Sequence, residues 1–232
     1  MSTEINEQTV NEEEKEVSRK EFWTEEWKRG FSRYARLFSY VFHPLFIPTY
    51  AALYLLYCTR YSYADIDAHT KLLRAISVFL MTAFFPAFTV FLLWRLKFVS
   101  SVFLRTSKER IIPYMAAMFF YFWMYYVGKN IAGNYAPFLW LLLGTFISSI
   151  AALMANIYCK VSMHAIAMGN LLMLFVLLGL GGEALLSDVT TTIYIAGIVL
   201  SSRLLVSDHT AFEVYFGFLL GMICQSIAFM FV

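Results

Sequence analysis

Between two apolar runs near the C-terminus, the stretch SSRLLVSDHTAFE (201–213) gathers Arg203, Asp208, His209 and Glu213 in a chain that elsewhere avoids charge. The spacing puts His209 and Glu213 one turn apart on one helix face, where a carboxylate accepts the Nδ1 proton of an imidazole. That pairing fixes the tautomer and leaves Nε2 as a nucleophile or base. Arg203 precedes them at the end of the previous segment and offers a planar fork of donors suited to an anion such as a phosphate ester. Asp208 reads as a helix N-terminal residue.

Two further polar spots interrupt the apolar chain: RTSKERIIP (105–113) and KVSMH (160–164). Arg105, Lys108 and Arg110 from the first, Lys160 from the second and Arg203 from the third would cradle a dianion whose desolvation is otherwise costly. Ser162 offers a hydroxyl donor, and His164 a proton for a departing oxygen. This chemistry calls for no metal and no cofactor. Bland readings stand beside it. A His209–Glu213 pair is also an ordinary helix contact, His164 a helix-start cap, and the 105–110 cations anchors for lipid headgroups. His43, beside Pro44, reads as structural and His69 as a loop residue, while Glu183 and Asp188 receive no chemistry.

The elements that must position these groups follow from composition. The 232 residues are 60% hydrophobic and 19% aromatic with only 15% charged, and the mean hydropathy is +0.63. A soluble domain of this size cannot hide so much apolar surface. The expected fold is therefore all-α: one polytopic membrane bundle of six to seven transmembrane helices. A net charge of +2 and the lack of any aromatic-interleaved Lys/Arg cluster at groove-like spacing argue against a nucleic-acid partner. Cys58, Cys159 and Cys224 have neither disulfide-framework nor zinc spacing.

Residues 1–20 are acidic and without apolar periodicity, the mark of a disordered tail. Over 21–39, Phe22, Trp23, Trp27, Phe31, Tyr34 and Phe38 alternate with Lys28, Arg29, Arg33 and Arg36, which predicts an amphipathic helix on the membrane surface. The membrane domain spans 40–232, with apolar segments near 40–58, 75–96, 113–128, 136–158, 164–181, 189–206 and 210–231. Pro44 and Pro48 should kink the first or make it re-entrant. Two crossings separate each polar spot from the next, so all three face one side of the membrane whichever way the bundle is oriented. Which side that is stays open, because cations that serve a ligand are poor topology markers.

These residues resemble a known family, the type 2 phosphatidic acid phosphatase superfamily. Ser202-Arg203, five residues, His209, three residues and Glu213 match its third signature, with glutamate for the usual aspartate. KVSMH looks like the second, normally serine-glycine-histidine, with Met163 in the glycine place. RTSKERIIPY is similar to the first, a lysine followed after six residues by arginine-proline, but puts Arg105 at the lysine and Ile112 at the arginine. FHPLFIPTY, KERIIPY and FGFLLG also stand where short members from Bacteroidetes-type bacteria carry similar stretches.

The resemblance implies a metal-independent phosphohydrolase of the bacterial inner membrane that acts on a lipid phosphate or diphosphate: phosphatidic acid, phosphatidylglycerol phosphate, polyprenyl diphosphate or a lipid A type. By it, His209 attacks phosphorus to form a phosphohistidine, Glu213 orients it, and His164 serves the leaving group. Arg105, Ser162 and Arg203 hold phosphate oxygens, and Arg110 stands near the place of the missing first-signature arginine. The departures at Met163 and Ile112 motivate an alternative, an inactive lipid-binding or scaffold subunit. A transporter is weaker, since its polar residues should lie mid-helix. Substrate and oligomeric state are not legible here.

Overall fold

Backbone that crosses hydrocarbon must satisfy its N–H and C=O groups within itself, and helices do this segment by segment. In the computed structural model, the described residues (30, 32–59, 63–102, 104, 106–131, 133–206 and 209–232) form helices and no strand. The acidic tail, residues 21–29, Phe31, Arg105 and Asp208 lie outside them.

A first helix, α1, covers 32–41, with Ala35 and Ser39 buried against the bundle and Arg33, Tyr34, Arg36 and Tyr40 exposed. This part of the expected surface helix docks by its small residues and turns its aromatic and basic residues outward. The chain turns over 42–46 into α2, Ile47–Tyr57. Pro48 sits in the first turn of α2, where a missing N–H costs nothing. It therefore starts a helix instead of kinking one. At 11 residues and about 1.5 Å per residue, α2 is too short to cross, which corrects the expected first segment at 40–58.

Next come α3 (Ala68–Phe79), a π-helical segment (Leu80–Phe84) and α4 (Phe85–Arg95), together one 28-residue apolar rod. Asp67 caps its start by accepting from the Thr70 N–H at 2.9 Å. Pro86 explains the irregular middle. The Thr82 carbonyl would bond residue 86 in an α-helix, but proline has no N–H, and the Tyr121 hydroxyl donates to that carbonyl instead at 3.3 Å. The remaining helices are α5 (Ser107–Asn130), α6 (Ala136–Tyr158), α7 (Met163–Leu180), α8 (Leu186–Val206) and α9 (Ala211–Phe231), in sequential antiparallel succession. Six helices among the described residues are long and apolar enough to cross a membrane, so the chain is an all-α polytopic bundle and an integral membrane protein.

The centre of the bundle is α7: 56% of its most apolar stretch is buried, against 22% for α8. Gly169 on α7 and Gly221 on α9 bring the two backbones together, since a Cβ on Gly169 would strike the Phe218 carbonyl and one on Gly221 the Ile166 carbonyl. With Gly217 this is small-residue packing of the kind that holds helices together in lipid, where apolar burial gives little association energy. Neutral polar contacts add to it mid-helix. Asn170 donates to Ser148 at 2.9 Å and Gln225 to the Trp140 carbonyl at 3.2 Å. Large side chains on the outer faces, among them Phe119, Leu219 and Ile223, are exposed, as a lipid-facing surface requires.

Candidate functional site

The turns before α5, α7 and α9 lie at one end of the antiparallel bundle, as counting crossings predicts. At that end α9 begins with a reciprocal cap. Thr210 Oγ1 accepts from the Glu213 N–H at 3.3 Å, and Glu213 Oε2 accepts from the Thr210 N–H at 2.9 Å. This local chemistry, a capping box, fixes the Glu213 carboxylate where it also meets His209 Nδ1 at 3.2 Å. Both side chains are largely enclosed, 8% and 17% exposed. Burial holds the His209 imidazole below its ordinary pKa; the Glu213 hydrogen bond opposes this and the Arg203 charge reinforces it. The backbone carbonyl of Lys160 also faces the ring and favours its protonated form.

Ser162 is the N-cap residue of α7 and is fully buried. Its hydroxyl makes no capping bond and has no hydrogen-bond partner among the described residues. Its own N–H donates to the Glu213 carbonyl at 3.4 Å, which ties the start of α7 to the first turn of α9. Two residues further, His164 Nε2 lies 3.0 Å from the carbonyl of Ser39 on α1. A carbonyl only accepts, so the proton sits on Nε2 and leaves Nδ1 as an acceptor. Arg203, in the last turn of α8, donates through Nη1 to Ser39 Oγ at 3.5 Å, while that hydroxyl donates onward to the Ala35 carbonyl at 2.9 Å.

His43 completes the cluster, although its neighbour Pro44 made it read as structural. Its ring packs edge-on against His164 with centroids 5.5 Å apart, and its Nδ1 accepts from the Leu45 N–H at 3.4 Å. Burial, and after it the Arg203 charge, pushes its pKa down. Three histidines from the α1–α2 turn, α7 and the α8–α9 turn thus surround one guanidinium. Among the described residues no group of three or more His, Cys, Asp or Glu is placed to hold a metal ion.

The structure brings together His164, His209, Glu213, Ser162 and Arg203, with Lys160 contributing its carbonyl. Among the described residues, Lys108 and Arg110 have other settings. Lys108 is exposed at the start of α5, and Arg110 Nε donates to the Leu104 carbonyl at 2.9 Å. Arg105, the remaining expected phosphate ligand, falls outside the described residues. Sequence reasoning missed Ser39 and His43. The available signal was FHP beside a basic helix, but nothing local says that this turn folds back over α7.

No family model, curated protein or solved structure matches this chain. The functional reading therefore rests on the chemistry of the cluster itself.

Proposed function

We propose that the protein is a membrane phosphohydrolase that removes phosphate from a lipid phosphate or diphosphate through a phosphohistidine. The observation that carries this reading is the meeting, at one end of the bundle, of the His209–Glu213 pair, the Arg203 guanidinium and the buried, unpartnered Ser162 hydroxyl at a helix N-terminus. A buried donor without a partner costs about 1–3 kcal/mol, and an oxyanion resting on the α7 N-terminus would satisfy it.

In this reading the bound phosphate anion draws a second proton onto His164; His209 Nε2 then attacks phosphorus, Glu213 stabilises the imidazolium that forms, and the bond to the lipid oxygen breaks as the His164 imidazolium gives that oxygen a proton and becomes neutral. Water then adds to phosphorus with His164 as base, the N–P bond breaks, and inorganic phosphate leaves. His164 Nε2 must exchange Ser39 for the substrate to do this, and Arg203 must turn from the same residue to the phosphate. Arg105 and Lys160 would add positive charge, and the first-spot cations Lys108 and Arg110 would act as surface attraction for an anionic headgroup.

The second reading, an inactive lipid-binding or scaffold subunit, is favoured by Met163, which removes a glycine beside the site. Purified protein offered phosphatidic acid, phosphatidylglycerol phosphate, polyprenyl diphosphate and a lipid A type in detergent discriminates the two. Release of phosphate from any of these, abolished in a folded His209→Ala variant, supports the enzyme. Turnover unchanged in that variant removes the phosphohistidine mechanism, and no release from any lipid favours the scaffold.

A further inference from the structure

A cleft with about 490 Å3 of empty space, its open mouth included, starts beside the histidine cluster and runs into the bundle between α2 and α5, over α6 and α7. Pro44, next to His43, and Met163, between Ser162 and His164, line it at the end nearest the cluster; Ile166, Ala167 and Leu171 line it further along α7. From Met163 to Leu171 is about 12 Å along α7 at about 1.5 Å per residue, close to the roughly 15 Å of hydrocarbon in one leaflet.

The polar residues of the wall do not make it polar. Thr145 Oγ1 donates to the Leu141 carbonyl at 2.8 Å, Ser149 Oγ to the Phe146 carbonyl at 2.6 Å, and Asn170 is bonded to Ser148. Their hydrogen-bonding capacity is spent within α6 and α7, and the surface they leave is apolar. Lining residues as large as Leu141, Ile166 and Leu171 are 2%, 2% and 8% exposed, so the passage is a thin slot.

We infer that this slot holds a single hydrocarbon chain of a phosphorylated lipid, drawn from the leaflet on the side of the histidine cluster, with Met163 setting the fit at the end nearest the cluster. The inference rests on the lipid-phosphate reading for the headgroup alone. The slot is lined by the chain neighbours of His43, Ser162 and His164, extends about the depth of one leaflet along α7, and is apolar along its length. A second chain, where the lipid has one, lies outside on the lipid-facing surface.

The test uses full-length His209→Ala protein in detergent and a single-chain alkyl phosphate with a diazirine near the chain end. On illumination the label is expected in the α6 and α7 segments around Leu141, Ala167 and Leu171. Ala167→Trp, which fills the slot, should lower that labelling about tenfold, equivalent to a tenfold weaker fit. Leu219→Trp, on an exposed face of α9, should leave it unchanged. Label spread evenly over the outer faces of α5 and α8, or undiminished in Ala167→Trp, overturns the slot. Should the tryptophan variant not fold, the distribution of label in the His209→Ala protein is sufficient. The two readings fail separately: absence of phosphate release by the unaltered protein sinks the phosphatase and leaves the labelling result standing.

Discussion

Ser162 occupies a capping position without capping, and that sets its expected behaviour. Removing a hydroxyl that has no partner to lose among the described residues should not lower stability, because the unmade bond already costs the folded state. Ser162→Ala is expected to keep its thermal midpoint in detergent while its KM for a lipid phosphate rises about tenfold, the loss of roughly one hydrogen bond to a charged oxygen. A lowered midpoint would show that the hydroxyl supports the fold. Glu213 has two duties, and a single substitution separates them. Glutamine also completes a capping box, so Glu213→Gln should unfold within about 0.5 kcal/mol of the unaltered protein. Its turnover should nonetheless fall, less severely than in His209→Ala, because the imidazolium loses its counter-charge. Equal turnover in Glu213→Gln would reduce the residue to a helix cap. This pair was legible in the sequence because its contact is one helical turn long. The contact between His164 and Ser39 spans 125 positions, and no local spacing carries it.

At the scale of elements, apolar length gave the long helices, and proline chemistry decided what length did not. Pro44 and Pro48 predict a first segment that is kinked or re-entrant; Pro48 kinks nothing and opens a short helix, since a proline in a first turn and one in a helix interior differ only in where the helix begins. Of the six to seven crossings expected, six are long enough among the described residues, and this segment is the one that is not. Polar residues do not gather only at segment ends: Asn170 and Gln225 are buried within α7 and α9. They are neutral and hydrogen-bonded to their neighbours, which suits them to holding helices together better than to carrying an ion. The α7–α9 contact yields a sharper test. Gly169→Ala meets backbone and should cost about 1–3 kcal/mol, whereas Gly197→Ala, where a Cβ meets nothing within 4 Å, should be neutral or stabilising by up to about 1 kcal/mol. Similar losses at both positions in denaturant melts would contradict the close approach of these helices.

For the molecule as a whole, one end collects the reactive groups. Lys160→Cys belongs to that end and Leu185→Cys, in the α7–α8 turn, to the other. In a background lacking the exposed Cys58, a membrane-impermeant thiol reagent added to intact cells should modify one and spare the other. Modification of both would break the crossing pattern. The same end makes stability depend on pH. His43 and His209 are held below the ordinary imidazole value of about 6.5, amid Arg203, His164 and, for His209, Glu213. As pH falls through that value the unfolded chain takes up protons that the folded chain refuses, so stability present above it is lost below. The thermal midpoint should therefore drop between about pH 7.5 and about pH 5.5, and drop less in His43→Phe. An identical pH dependence in that variant would take His43 out of the account.

Ser39 gives Arg203 a hydroxyl and His164 a carbonyl, the same two partners that an incoming oxyanion would claim. If the proposed function holds, the N-terminal helix and the anion are rivals for one berth, and in linked equilibria rivalry runs both ways: whatever tightens the anion loosens the helix by the same factor. Amide hydrogens over 32–41 should exchange faster when orthovanadate is added, and a chain shortened past Ser39 should bind it more tightly.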